Sequence, residues 1–499
     1  MNTSIINDTI IALATSSGVG AIAVIRLSGA KSIEIVNQFF SSKYGNKDLN
    51  KVKSHSIHLG NIVDGHRVID EVLVSVFNNP HSYTGENVVE ISCHGSVYIQ
   101  QEILQLFLRN GVRNANAGEF TLRSFLNGKM DLTQAEAVAD LISSNSAASH
   151  QVALQQMRGG FSNEIKNLRQ QLLDFASLIE LELDFSEEDV EFADRAEFNR
   201  LVEKISSVLK RLIDSFALGN VLKNGIPVAI VGEPNVGKST LLNALLNEEK
   251  AIVSHIAGTT RDAIEDEIAI DGVAYRFVDT AGLRSTKDVV ESLGIQKTYE
   301  KIEQAQLVLH LIEASSASDL FSEGEEIGAI QKKYPSKKII TIVNKADLLS
   351  EAEISNLNTQ YSNLIILSAK EKTGIHELTS ALTQLANKGA LSNNETIVSN
   401  SRHFEALNNA LNAIKEVQKG IDNNISADLF AIDIRQALFH LGEITGQVST
   451  EDLLGNIFAN FCIDWGEVRR AKIELILQKK TIRLSFCLPI YRNNQFSVF

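Results

Sequence analysis

The sequence predicts a multidomain α/β protein, because three stretches of the chain differ in residue pattern. Residues 1 to about 120 contain short β-branched runs, such as Ala21–Leu27 and Val88–Ser92, separated by Gly, Asn and Pro. From about 132 to 217 there is no proline, and apolar residues recur at helical spacing. Residues from about 220 to 385 alternate between strand and helix patterns, which is typical of a parallel sheet flanked by helices.

Helical periodicity returns after this α/β stretch, at Arg402–Val417 and Asp428–Leu441. The residues alone leave two arrangements open: one all-helical middle domain interrupted by an inserted α/β domain, or two separate helical domains. We expect the following boundaries: an N-terminal α+β domain at 1–120, helical parts at 121–219 and 386–462, the α/β domain at 220–385, and an atypical C-terminal extension at 463–499.

Composition and charge limit the class of protein. A chain of 499 residues is long enough for several domains with their own cores. No apolar stretch approaches the ~20 residues of a membrane span, and the N-terminus lacks a secretory signal pattern. Three cysteines indicate a reducing compartment, so we expect a cytoplasmic protein that does not associate with membranes. The net charge of −14 argues against a protein that holds nucleic acid by its own basic surface.

The segment Gly232–Ser239 matches the phosphate-loop pattern G-x-x-x-x-G-K-S. The apolar run Ile226–Val231 predicts a buried strand before the loop, and Leu241–Leu246 predicts a helix after it. In such a loop the backbone N–H groups surround phosphate oxygens, Lys238 reaches the outer phosphates, and the Ser239 hydroxyl binds Mg²⁺.

Four further motifs follow in the order that a Ras-like P-loop G domain requires. A loop containing Thr260 can complete the Mg²⁺ shell, and Asp347 can accept two hydrogen bonds from guanine that adenine cannot supply. The sequence therefore predicts a GTP site. The residues expected to form it are Asn235, Val236, Gly237, Lys238, Ser239, Thr240, Ser254, His255, Ile256, Ala257, Gly258, Thr259, Thr260, Asp279, Thr280, Ala281, Gly282, Asn344, Lys345, Asp347, Ser368, Ala369 and Lys370.

These motifs and several others resemble one family, the bacterial tRNA-modification GTPases called MnmE or TrmE. The G-domain strings Gly-x-Pro-Asn-x-Gly-Lys-Ser, Ile-Ala-Gly-Thr-Thr-Arg-Asp and Asp-Thr-Ala-Gly-Leu-Arg carry the resemblance. It continues outside the G domain and runs from about Asp8 to Cys462. The matching blocks there are Ala23–Gly29, Ser82–Glu90, Gly118–Thr121, Phe125–Lys129 and Asp131–Ala137. The family's architecture implies that the G domain is inserted into one helical domain.

The resemblance also implies how GTP is hydrolysed. Leu283 stands where many small GTPases carry a glutamine that orients water, and an aliphatic side chain cannot do this. The residues alone allow a slow GTPase that needs an external activator, whereas the family implies Glu291 as the water-positioning carboxylate. The family further implies a K⁺ ion, held by Asn235, Ser254, Ile256 and Thr259, although Asn235 could simply form a turn after Pro234.

The N-terminal domain resembles folate-binding one-carbon domains. In the family this domain forms a homodimer and binds 5-formyl-tetrahydrofolate or a related tetrahydrofolate, and the matching positions here are Arg26, Glu90 and Lys129. The resemblance further implies a heterotetramer with the FAD-binding protein MnmG, which together modifies the wobble uridine of certain tRNAs. Cys462 is a possible further site residue, although a small buried hydrophobic side chain explains it equally well.

Two features fall outside this scheme. Cys93 and His94 are too few for a zinc site, so we expect a buried structural pair. Beyond Ile463 the chain departs from the family, whose terminal lysine has no match at Trp465. Residues 463–499 are richer in Lys and Arg than in Asp and Glu, and are either a basic appendage or the product of a shifted reading frame.

Two other functions compete with the family's function. A ribosome-assembly GTPase of the Era or Der type would share much of the G domain, but it gives no account of residues 8–137. A folate-dependent one-carbon enzyme regulated by a G domain would need no RNA.

Overall fold

The structure, a computed structural model, describes residues 8–184, 195–246, 252–253, 266–278, 300–314, 331–335, 337–360, 364–387, 396–423, 427–448 and 457. The chain folds into two compact units, and the boundary between them falls between Lys129 and Met130. The first unit thus runs to Lys129, and the boundary near 120 stays a prediction from the residue pattern.

The first unit is an α+β domain built on a seven-stranded sheet with the strand order β3-β4-β5-β6-β2-β1-β7. Its strands are antiparallel except for the pair β1 and β7. Alternate residues of each strand, such as Ile25 and Leu27 of β2, face a core that the helices α1 and α2 complete. The elements are β1 (Ile10–Leu13), β2 (Ile22–Ser28), α1 (Ser32–Phe39), β3 (Phe40–Ser42), β4 (Ser56–Asp64), β5 (Arg67–Phe77), β6 (Val88–His94), α2 (Val97–Arg109), β7 (Arg113–Asn114) and α3 (Glu119–Leu126).

The second unit begins with four helices: α4 (Leu132–Ser143), α5 (Ala147–Met157), α6 (Gly160–Asp184) and α7 (Arg195–Asn224). Side chains with a capping-box arrangement begin two of them, since Asp131 and Ser146 each accept a hydrogen bond from the backbone three residues later. The apolar residues of α6 recur at helical spacing, at Ile165, Leu168 and Leu172, and all three are buried.

The second sheet has seven strands in the order β14-β13-β12-β8-β11-β10-β9. Strands β8 and β11 to β14 are parallel, as predicted, whereas β10 and β9 add an antiparallel edge. The strands are β8 (Ile226–Val231), β9 (Ile252–Val253), β10 (Asp266–Ile270), β11 (Val273–Phe277), β12 (Leu307–Glu313), β13 (Lys338–Asn344) and β14 (Leu364–Ile366). The helices in this stretch are α8 (Lys238–Leu246), α9 (Glu351–Gln360) and α10 (Ile375–Asn387).

Helices that come before this sheet in the sequence and helices that come after it share one hydrophobic core. Two further helices, α11 (Ser401–Asp422) and α12 (Ala427–Thr445), pack with α6 and α7. The core contains Leu172, Leu209, Leu407 and Leu441, among others. The α/β segment therefore leaves a helical domain and returns to it.

The departing and returning segments lie against each other at one point. A Cβ atom built on Gly219 of α7 would lie 2.1 Å from the backbone oxygen of Val398, so only glycine allows this approach. The backbone N–H of Val398 also donates to Ser215 Oγ at 3.1 Å. The chain is thus fixed to α7 where it re-enters the helical domain.

Within the described ranges, no helix has the length and apolar composition needed to cross a bilayer.

Candidate functional site

The phosphate loop joins β8 to α8 and has the backbone that its sequence requires. The backbone φ angle of Gly237 is 99°, and a Cβ at this position would lie 2.2 Å from Asn344 Nδ2. Asn235 also has a left-handed φ, at 66°, which asparagine tolerates better than most residues. Lys238 begins α8 and donates from Nζ to the carbonyl oxygens of Gly232 and Glu233 at 2.7 Å each. Burial lowers the pKa of this ammonium group.

Asn344, at the end of β13, connects three of the predicted motifs. Its Nδ2 donates to the Val236 carbonyl of the phosphate loop at 2.7 Å, and its Oδ1 accepts from the backbone N–H of Ala369 at 3.0 Å. The side chain is almost fully buried. Because both ends of one amide are occupied, the phosphate loop and the Ser368–Lys370 loop keep a fixed separation.

The expected base pocket is formed by the two loops that follow β13 and β14. Ser368 Oγ donates to Asp347 Oδ1 at 2.5 Å, and this hydrogen bond lowers the pKa of the Asp347 carboxyl. Asp347 is therefore an ionised acceptor in a fixed position, which suits the N1–H and amino group of guanine. Beside it, Lys345 has a φ of 64° and forms an ion pair with Glu313 at 2.9 Å. Lys370 is exposed and pairs with Glu371.

Ser239 and Thr240 lie in the first turn of α8. A metal ion bound to the nucleotide phosphates would lie next to this end of the helix. The remaining predicted nucleotide and metal residues lie outside the described residues. They are Ser254, His255, Ile256, Ala257, Gly258, Thr259, Thr260, Asp279, Thr280, Ala281 and Gly282, together with Glu291 and Cys462.

A second cluster lies on the first sheet, on the face opposite α1 and α2. Arg26 and Glu90 are directly opposite each other on β2 and β6, and Arg26 Nε donates to Glu90 Oε1 at 2.8 Å. Both side chains are about a quarter exposed, with a relative exposure of 26% each. The structure thus brings together two of the three residues expected to bind folate, in an ion pair that the sequence spacing did not indicate.

Two aromatic rings complete this cluster, and the sequence analysis missed them. The Arg26 guanidinium carbon lies 5.2 Å from the ring centre of Tyr83 and 5.6 Å from that of Phe120. Both residues stand inside motif blocks that signalled the resemblance, but nothing in their spacing showed that they would meet at Arg26. Lys129 Nζ donates to the carbonyl of Pro80 at 3.1 Å, and its stem passes beside Gly85, so it lies against the loop that carries Tyr83.

The expectation of a buried Cys93–His94 pair is correct for Cys93 and wrong for His94. Successive residues of a strand point to opposite faces, so only Cys93 enters the core. His94 is exposed, and its Nδ1 lies 2.7 Å from Oδ1 of the buried Asp70. Among the described residues there is no cluster of ligands suited to a metal ion.

The sheet order, the phosphate loop and the guanine-type pocket define the class of protein: this is a P-loop GTPase whose nucleotide domain interrupts a helical domain.

Family models identify the remaining parts of the chain. Residues 9–129 match the model described as GTP-binding protein TrmE N-terminus, and residues 132–462 match the MnmE helical domain. The first match covers the part of the chain for which the ribosome-assembly alternative has no account.

Curated relatives extend over nearly the whole chain. The tRNA modification GTPase MnmE of Flavobacterium johnsoniae is 63% identical over 464 residues, which is 91% of this chain and 99% of the relative. The protein of the same name from Bacteroides thetaiotaomicron is 51% identical over 463 residues, with the same coverage. A solved structure of Aquifex aeolicus Era is 27% identical over 38% of this chain and 66% of its own, at a TM-score of 0.25. The chain belongs to the MnmE family of tRNA modification GTPases.

Proposed function

We propose that this GTPase is K⁺-dependent and works with the FAD-dependent protein MnmG to modify the wobble uridine of certain tRNAs, using a one-carbon unit from tetrahydrofolate. The observation that carries the nucleotide part is Asn344, whose amide holds the phosphate loop and the base pocket together. Family membership carries the tRNA part.

For hydrolysis, the described residues bind and orient the nucleotide. Asp347 and the Ser368–Lys370 loop select guanine, while Lys238 and the backbone of the loop before it bind the phosphates. Mg²⁺, when bound by Ser239 and Thr260, offsets negative charge on the phosphates. Glu291 positions the attacking water, because Leu283 cannot.

K⁺ is proposed to bind at Asn235, Ser254, Ile256 and Thr259. The position of Asn235 supports this role, because its left-handed backbone holds an exposed side chain at the outer edge of the phosphate loop. An amide oxygen suits a large monovalent cation, which would offset charge that develops in the transition state.

Folate is proposed to bind at the Arg26–Glu90 cluster. Glu90 can pair with the amino-pyrimidine edge of the pterin, and Arg26 and Lys129 can bind carboxylates. The rings of Tyr83 and Phe120 support this proposal, since a flat heterocycle can stack on them in place of the guanidinium. Calorimetry of 5-formyl-tetrahydrofolate with the full chain tests this proposal. Arg26→Ala is expected to weaken binding at least tenfold, about 1.4 kcal/mol, and unchanged affinity would remove Arg26 from the site.

A homodimer is proposed to form through the first unit. On the sheet face opposite its helices, Ile22, Ile57 and Leu73 are exposed by 68%, 66% and 45%. They lie on three different strands, so exposed apolar side chains are spread across a face that also carries polar groups such as Arg26 and Glu90, a mixture that an interface can bury.

The decisive experiment is mass spectrometry of tRNA nucleosides from a strain that lacks this gene, complemented with the wild-type chain or with Arg26→Ala. We expect the modified wobble uridine to disappear on deletion, to return with the wild type, and to stay low with Arg26→Ala. Normal modification in the deletion strain would contradict the tRNA function. Restoration by Arg26→Ala would leave the tRNA function standing and contradict the folate part alone.

A further inference from the structure

The helices α4 and α5 form a pair that contacts two distant parts of the second unit. They pack against each other, and α5 contacts β11 of the nucleotide domain while α4 contacts α12. Neither helix has a role in the proposed hydrolysis. The pair therefore contacts the nucleotide domain at one end and α12 at the other.

At the first end, α5 receives the turn between β10 and β11. The backbone N–H of Ala148, in the first turn of α5, donates to the carbonyl oxygen of Gly272 at 3.0 Å. This turn therefore supplies an acceptor to a helix N–H that has no partner within its own helix. Ala148 and Val152 of α5 are buried in the same core as Ile270 and Val273, which flank the turn. The turn is also held by Thr383 of α10, whose Oγ1 donates to Asp271 at 2.7 Å.

The β10–β11 hairpin connects the two segments that are expected to respond to nucleotide. Along the sequence, β10 follows the loop with Gly258 and Thr260, and β11 ends two residues before Asp279. All five residues of each strand are paired, and residues 275–277 of β11 are also paired with β8, the strand that leads into the phosphate loop. Strand pairing therefore runs without a break from the nucleotide end of this sheet to the turn that α5 holds.

On its other side, the contact between the β10–β11 hairpin and α5 is bordered by polar groups. A cavity of about 230 Å³ lies between the hairpin and the helices α4, α5 and α7. Its charged lining is Asp140, Lys223, Glu267 and Arg276, of which Asp140 and Lys223 form an ion pair at 2.7 Å. Polar groups around a cavity can exchange partners with water, whereas a close-packed apolar contact resists sliding. This lining allows the hairpin to shift without breaking the Ala148–Gly272 contact.

At the second end, α4 is joined to the C-terminal end of α12 through Glu136. Arg402 donates from Nε and Nη2 to the two carboxylate oxygens of Glu136, at 2.9 Å each. The same guanidinium donates to the carbonyls of Glu443 and Ile444, at 2.7 and 3.1 Å. His403 Nε2 lies 2.7 Å from Glu136 and is fully enclosed. Glu136 therefore holds the guanidinium of Arg402, which in turn binds the last turn of α12.

We propose that the α4–α5 pair couples the nucleotide state of the G domain to the C-terminal end of α12. In this proposal a nucleotide-dependent shift reaches α5 through the turn at Gly272, and α4 passes it to α12 through the Glu136–Arg402 contact. Both contacts lie outside the catalytic and nucleotide-binding residues. The inference rests on the proposed GTP cycle, because a shift of the hairpin requires two nucleotide states.

Hydrogen–deuterium exchange of the full chain tests this coupling, with GDP compared with a non-hydrolysable GTP analogue. In the wild type we expect amides of residues 440–448 to exchange at rates that differ at least about threefold between the two nucleotides. Gly272→Ala places a Cβ 3.1 Å from Ala147 Cβ and is expected to reduce this difference to within error. Glu136→Gln, at the other end of the pair, is expected to do the same.

Gly65→Ala is the matched control. Gly65 also follows an aspartate in a hairpin turn and has a left-handed φ of 61°, compared with 81° at Gly272, but a Cβ there meets nothing within 4 Å. This variant has the same backbone strain without the contact, so it should keep the wild-type difference.

Two outcomes overturn the coupling. One is a nucleotide-dependent difference that persists in both Gly272→Ala and Glu136→Gln. The other is the absence of any difference at 440–448 in a wild-type chain that hydrolyses GTP normally. The GTPase rate, measured on the same samples, separates these outcomes from failure of the proposed function, since a chain without hydrolysis would contradict the GTP cycle itself.

Discussion

At the scale of single residues, we propose that nucleotide selection depends on the carboxylate of Asp347 and on the Ser368 hydroxyl that holds it. Ser368 donates a hydrogen bond to one carboxylate oxygen of Asp347, and the other carboxylate oxygen can accept hydrogen bonds from a base. A base with donors at the matching positions pairs with this carboxylate, and a base without them leaves it desolvated and unpaired. Under this proposal, the side chain at position 347 decides which purine binds.

We expect Asp347→Asn to weaken GTP binding by about a hundredfold or more, because the amide presents donors where guanine also presents donors. Xanthosine triphosphate, which carries a carbonyl in place of the amino group, should regain much of the lost affinity. Titration with fluorescent analogues of both nucleotides measures this. Ser368→Ala is the control for loop position and should weaken GTP binding less. An Asp347→Asn chain that still prefers GTP would contradict the assignment.

Glu291→Ala should lower the kcat of GTP hydrolysis at least about a hundredfold and leave GTP affinity nearly unchanged. The reason is that its proposed role is to position water in the transition state. Single-turnover hydrolysis and nucleotide titration measure the two quantities separately. Glu303→Ala, which removes an exposed glutamate elsewhere in the nucleotide domain, should hydrolyse GTP normally. A wild-type rate in Glu291→Ala would mean that another residue positions the water.

At the scale of elements, the contact between α4 and α11 is a buried ion cluster. Burial acts to raise the pKa of Glu136, but electrostatic attraction to His403, together with hydrogen bonds from His403 and Arg402 and the charge of Arg402, outweighs it and holds this pKa at about 2. Burial lowers the pKa of the enclosed His403, so its ring is neutral at pH 7. Such a cluster is costly to disrupt on one side, because the remaining charge stays buried.

We expect Glu136→Gln to destabilise the second unit by roughly 3 kcal/mol at pH 7, measured by urea unfolding. The pH dependence has a definite sign. Both groups have folded pKa values below their unfolded values, so the stability that they provide is present at neutral pH. It is lost as pH falls, first below about 6.5 for His403 and then from about 4.5 to about 2 for Glu136. The variant should lack the second phase, and an unchanged acid limb would show that Glu136 is not ionised in the folded chain.

At the scale of the whole molecule, two proposals combine: a homodimer, and a K⁺ site that the resemblance to the family implies is completed when the nucleotide domains of two copies meet. GTP turnover in KCl should therefore exceed that in NaCl by well over tenfold, about 1.4 kcal/mol or more of the activation barrier. Turnover should also rise with protein concentration until dimerisation is complete. Steady-state phosphate release in matched salts measures both effects, and Asn235→Ala should abolish the potassium advantage. Equal rates in the two salts would contradict the proposed cation site.

Local patterns were sufficient to predict most of the nucleotide domain. The run Ile226–Val231, predicted as a buried strand, is β8 to the residue. A buried parallel strand is a continuous apolar run, and a phosphate loop has glycines at fixed positions. Both can therefore be recognised from residues that are adjacent in the sequence.

What depends on distant residues could not be predicted in this way. The Arg26–Glu90 pair requires the register of β2 against β6, and the Glu136–Arg402 contact joins residues far apart in sequence. His94 was misjudged because its exposure depends on which face of the sheet the helices cover. Spacing along the chain carries no information on these three points.

The close approach of Gly219 and Val398 has a consequence for how such a chain could have arisen and could be rebuilt. The chain leaves the helical domain through α7 and returns at Val398, which packs against the same helix, so the helical core has one attachment site for the nucleotide domain rather than two separate ones. A domain whose ends are neighbours can be exchanged as a unit without altering the framework that receives it. The nucleotide domain can therefore be replaced as a unit, and Gly219 makes this possible because the absence of a side chain allows the two ends of the domain to approach each other.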